Sequence, residues 1–132
     1  MKHRILIILA AAVLIGCSTP SSLTPEMQAD LVRPIYCEGA SECKTMWKRA
    51  LRFVQLNAGK KILKANAAVI ETRGSYGRSK DLSMSVTKVP LGGGRYQLKL
   101  LASCAHAYGT ICTPNKEETL WRAQLFIREG KE

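Results

Sequence analysis

The chain has 132 residues and a formal net charge of +10, from 20 Lys and Arg against 10 Asp and Glu. That length holds one domain. Only 6% of it is aromatic, so the core is modest and gains from covalent staples. The basic balance excludes an acidic surface and points to anionic partners such as phospholipid head groups and acidic polymers, against the simpler reading of a well-solvated surface.

The chain opens with Lys2, His3 and Arg4, and residues 5–15 are all apolar. A basic start and a short apolar run are the first two parts of a secretory signal. The run is too short to span a bilayer as a helix, which takes about twenty apolar residues. It ends in Leu14-Ile15-Gly16-Cys17. This resembles the bacterial lipobox, in which a small residue precedes a cysteine that is diacylated and then freed from its leader. The resemblance implies a signal peptide over residues 1–16 and a lipid-bearing N-terminus at Cys17. Two or more acyl chains, palmitate among them, hold a protein stably at a bilayer, whereas one holds it marginally. Ser18 and Thr19 follow Cys17, with no Asp there. That resembles the outer-membrane sorting class and implies an anchor in the inner leaflet of the outer membrane, facing the periplasm. Loss of Lys2 and Arg4 with the leader would lower the net charge by two.

Residues 18–29 are rich in Ser, Thr and Pro and poor in apolar side chains. They read as part of a flexible tether over residues 17–36, with the folded domain at 37–132. The spacing then predicts a helix from Ser41 to Asn57. Cys43, Met46, Trp47, Ala50, Phe53 and Val54 share one face, and Lys44, Lys48, Arg49 and Arg52 share the other. Ser41 is placed to cap its start, and Asn57 or Gly59 to close its end. Residues 60–73 suit a strand interrupted at Ala65-Asn66-Ala67, as by a bulge, and residues 73–78 a loop. Leu82, Met84 and Val86 alternate with Ser83, Ser85 and Thr87. Tyr96, Leu98, Leu100 and Ala102 follow the same period after Pro90-Leu91-Gly92-Gly93-Gly94. Two period-two runs around a glycine-rich turn predict an antiparallel hairpin. The last segment fits strand or helix by periodicity. Asn115-Lys116-Glu117-Glu118 has the composition of a helix start, which decides for helix.

Five cysteines less Cys17 leave Cys37, Cys43, Cys104 and Cys112. An exported chain meets an oxidising compartment, where an even set pairs. Four cysteines allow three connectivities. The local one is preferred: Cys37–Cys43 pins the tether to the first helix, and Cys104–Cys112 closes the loop before the last element. The rival is a metal site on Cys104, His106 and Cys112, but their spacing fits no standard zinc pattern. No metal or cofactor is therefore expected. His106 is the sole histidine beyond the leader. No Ser lies in a nucleophile-elbow context, and no carboxylate pair stands out for acid–base work. Gly92-Gly93-Gly94 joins two strands, whereas a phosphate-cradling loop opens a helix. Trp47 and Trp121 lie on apolar faces, as core residues do. The chain therefore reads as non-catalytic. The candidate binding residues are the basic set Lys44, Lys48, Arg49, Arg52, Lys60, Lys61 and Lys64. Clustered cations beside an anionic bilayer gain roughly 1 kcal/mol each.

Residues 42–127 also resemble small proteobacterial lipoproteins of uncharacterised activity. The shared pattern is Glu42-Cys43 leading into Trp47, then Lys61-Ile62, Ile70-Glu71-Thr72, Val86-Thr87-Lys88 and Gly94-Arg95-Tyr96, with a cysteine-bearing loop at Cys104 and Cys112. The resemblance brings no activity, ligand or site residue with it. The expectation is a two-layer α+β domain: a helix, about three antiparallel strands and a second helix, both helices on one sheet face, with local disulfides. The expected partners are a membrane through the lipid anchor and other envelope proteins. An anionic envelope glycan or lipid is the alternative, and no nucleic-acid partner is expected.

Overall fold

A computed structural model describes residues 23–105 and 111–131. The proposed leader, Cys17, Ser18, Thr19 and His106 lie outside the described residues. The elements are α1 (Pro25–Val32), β1 (Ile35–Glu38), α2 (Gly39–Asn57), β2 (Ile62–Ala65), β3 (Val69–Thr72), β4 (Ser83–Gly92), β5 (Arg95–Ser103) and α3 (Lys116–Glu129). The strands form one antiparallel sheet in the order β1-β5-β4-β3-β2. The fold is α+β, with five strands where about three were expected.

The largest departure is at the N-terminal side. Residues 25–32 and 35–36, expected to be tether, are helix and strand. The cause is local. Thr24 accepts a hydrogen bond from the Met27 amide, Pro25 opens the helix and Glu26 sits in its first turn. A cap residue, a proline at the first position and an acid together outweigh a tether-like composition. Leu23 is already buried. The side-chain amide of Gln124 on α3 donates to the Leu31 carbonyl over 2.7 Å, holding α1 against the domain.

α2 begins two residues before Ser41 and ends at Asn57 as expected. Ser41 is inside it. Glu42 Oε2 takes the Glu38 amide over 2.6 Å instead, which satisfies a donor at the helix entry. The interruption at Asn66 is a turn between β2 and β3, and the bulge lies earlier, between Ile62 and Lys64. Asn66 Oδ1 accepts the amides of Ala68 and Val69, an arrangement that reverses the chain in few residues. The β4–β5 hairpin turns at Gly92-Gly93-Gly94. All three have positive φ, which side chains resist. α3 starts where its signal places it, with Asn115 accepting the Glu118 amide.

Both cysteine pairs are disulfides: Cys37–Cys43 with Cα atoms 5.1 Å apart and Cys104–Cys112 at 5.5 Å. The first binds edge strand β1 to the first turns of α2. The second joins the end of β5 to the approach to α3.

One face of the sheet carries the core. Ile35, Cys37, Ile70, Leu82, Met84, Val86 and Leu98 bury against Met46, Ala50, Phe53 and Val54 of α2 and Ala123, Phe126 and Ile127 of α3. Phe53 and Phe126 meet at 6.0 Å between ring centroids, where the two helices touch. Each Ile, Leu, Val, Met or Phe among them contributes roughly 1.5–3 kcal/mol on burial. Thr72 is a buried polar residue on the same sheet face. Its Oγ1 accepts the Met84 amide and donates to the Arg73 carbonyl, closing the gap where β3 ends.

Candidate functional site

Strand parity places Tyr36, Gln97, Lys99, Leu101, Ser83, Ser85, Thr87, Val89, Val69 and Glu71 on the face opposite the core. Among the described residues no helix lies on that face. Its rows are set by register: Tyr36 beside Gln97, Lys99 beside Thr87, Leu101 beside Ser85, and Ser85 beside Glu71. Tyr36 is 47% exposed and Leu101 69%. The face is therefore mixed, with two large apolar groups among hydroxyls and a few charges.

This surface continues over one edge. β1 pairs Ile35–Glu38 with Leu98–Arg95 and goes no further. Pro34 has no amide hydrogen to extend the ladder, and Arg33 caps the end of α1. Among the described residues, 99–103 of β5 therefore have β4 on one side and no strand on the other. A cavity of about 290 Å³ runs along this edge, walled by Val32, Pro34, Lys99, Leu101 and Gln124. At its rim Arg128 donates from Nη2 to the Arg33 carbonyl and to Gln124 Oε1, while its buried Nη1 has no partner among the described residues. Burial, followed by the neighbouring Arg33, lowers the Arg128 guanidinium below the ordinary arginine range.

The basic residues singled out in the sequence do not form one patch. Lys44, Lys48 and Arg52 lie exposed on the outer face of α2, four residues apart, and have no ion pair among the described residues. Arg49 is turned away from them. Its Nη1 donates to the carbonyls of Ile127 and Arg128, which α3 leaves open at its C-terminal end. Gly130 leaves that guanidinium room, since a Cβ there would lie 2.9 Å from Arg49 Nη2. Lys60 is paired with Asp81 at 3.1 Å. Lys64 stands opposite Glu71 on the open sheet face, across the sheet from α2. The compact part of the set is therefore Lys44, Lys48 and Arg52.

A further cation was missed in the sequence. The Lys88 ammonium lies 4.7 Å from the Trp47 ring centre and 5.6 Å from that of Tyr96. Trp47 Nε1 donates to the Asn66 carbonyl, which fixes the ring. Lys88 falls on the core side of β4 by parity, at the sheet end where α2 begins. A cation between two rings gains about 0.5–2 kcal/mol and joins helix to hairpin.

No protein family, curated protein or solved structure matches this chain. Among the described residues no helix is long and apolar enough to cross a membrane.

Proposed function

We propose that the chain is a lipid-anchored envelope module, held through Cys17 in the periplasm-facing leaflet of the outer membrane, that works without catalysis by contacting other proteins through its open sheet surface. The observation that carries this reading is the one-sided sheet. Both long helices pack on one face, and the opposite face, which carries no helix among the described residues, leaves Tyr36, Glu71, Thr87, Lys99 and Leu101 exposed beside the bare edge of β5. Exposed apolar groups set among polar ones characterise binding surfaces.

The anchor and the fold combine into a constraint. Only residues 18–22 separate Cys17 from buried Leu23. Five residues and their flanking bonds span at most roughly 20 Å. The domain is therefore kept at the bilayer surface, and its partners are envelope proteins within that reach. Replacing Cys17 with Ser and following the product by cell fractionation tests the anchor. The variant is expected to keep its leader or leave the membrane fraction. A variant still trimmed and still pelleting with the envelope would overturn it.

The second reading is a binder of anionic envelope glycan or lipid. It is favoured by Lys44, Lys48 and Arg52, three exposed cations on α2 with no ion pair among the described residues. Changing these three to Glu leaves Arg49 to its role at the end of α3. Under this reading the change abolishes sedimentation with anionic liposomes, and raised salt does the same, because screening weakens exposed charges more than packed contacts.

A further inference from the structure

The bare edge of β5 narrows the kind of partner, on the footing of the interaction reading above. We infer that residues 99–103 take up an extended acidic segment of another protein as a sixth strand. Strand addition needs unpaired main-chain groups over several residues and a place for alternate side chains. β5 offers both. Its ladder with β1 stops at Leu98, because Pro34 cannot donate and the chain turns into α1. The groove beside it is apolar where side chains of the core-side row would enter, walled by Leu31, Val32, Pro34 and Leu100, with Val32 81% exposed.

Charge selects the occupant. Lys99 is exposed on the outer row of this strand and has no ion pair among the described residues. Arg33 stands at the rim, paired with Asp30 at 2.9 Å, and Arg128 brings a guanidinium behind it. A second copy would set these cations against their own counterparts, in a chain of net charge +10. A lysine on an open edge opposes pairing with like strands, and it supplies a counter-charge to a carboxylate. An added strand alternating apolar and acidic residues would turn its apolar row to the groove. Its acidic row would then lie beside Lys99.

The probe is a labelled octapeptide of alternating Val and Glu, titrated by fluorescence anisotropy against the full chain in detergent micelles. The same peptide with Lys for Glu is one comparison. The Val-Glu peptide methylated on alternate backbone nitrogens is the other, since it keeps every side chain and removes ladder donors. Binding of the Val-Glu peptide is expected to exceed both by about tenfold or more. Lys99→Glu, at an exposed position outside the core, is expected to weaken it by a similar factor while leaving the Lys peptide no weaker. Equal binding of the methylated peptide would overturn the inference, as would no binding of the Val-Glu peptide or indifference to Lys99→Glu. Binding lost instead in the Lys44, Lys48 and Arg52 triple Glu variant would move the anion to α2 and also overturn it. Concentration-dependent dimerisation abolished by Leu101→Glu would give the edge to a second copy, with the same consequence. None of these outcomes bears on Cys17, whose role is tested by fractionation, or on contacts made elsewhere on the open face.

Discussion

The two faces of the sheet are built from the same strands and differ in nearly everything else. On the covered face Ile70 and Val86 are 0% exposed and Leu98 2%, and two helices, a disulfide and an aromatic pair lie against them. On the other face Lys99 stands in register with Thr87 and Leu101 with Ser85, and no helix among the described residues covers them. Strand alternation creates both surfaces at once, because each residue turned inward turns its neighbour outward. The difference teaches where stability and recognition are separable. Substitutions on the open face should change contacts with other molecules and leave the domain folded.

That division can be broken by experiment. The largest effect is expected inside. Ile70→Ala removes a fully buried side chain from the centre of the sheet, and its loss should cost about 2–5 kcal/mol in a denaturant titration. A value near zero would mean that the covered face is not the core. Next comes the bridge between β1 and α2. Replacing Cys37 and Cys43 together with Ser should cost roughly 2–3 kcal/mol, measured the same way, because a short loop is released in the unfolded chain. The smallest effect is expected on the open face, where Leu101→Ser should stay within about 0.5 kcal/mol, since its side chain is mostly exposed already. A Leu101→Ser cost comparable to that of Ile70→Ala would erase the distinction between the faces.

The covered face was the more legible in the sequence. Period-two alternation in Leu82–Val86 and Tyr96–Ala102 marks the β4–β5 hairpin, and the apolar stripe from Cys43 to Val54 marks the buried side of α2. Asn115 and the two glutamates after it resolve an ambiguous periodicity in favour of α3, because a helix start is a local chemical signal. The cysteine pairing follows from short spacing and comes out as expected. What composition concealed was α1 and β1. A Ser, Thr and Pro-rich stretch averages to a tether, although Thr24-Pro25-Glu26 within it is a helix start. Four residues of β1 are too few for periodicity to register, and their partner is about sixty residues away in β5.

The surface was less legible for a related reason. A helical projection places Lys44, Lys48, Arg49 and Arg52 on one side, but it cannot see that α3 ends beside Arg49 and draws its guanidinium inward. The bare edge of β5 depends on where β1 stops, and Pro34 gains that meaning only once Ile35 is known to pair with Leu98.

The open face as the working surface is tested most directly by photocrosslinking in intact cells, with a photoreactive residue placed in turn at Ser85, Thr87, Leu101 and Lys48. Discrete crosslinks to other proteins are predicted from the three sheet positions and none from Lys48 on α2. Crosslinks from Lys48 alone, or capture of lipid or glycan in place of protein, would contradict the account.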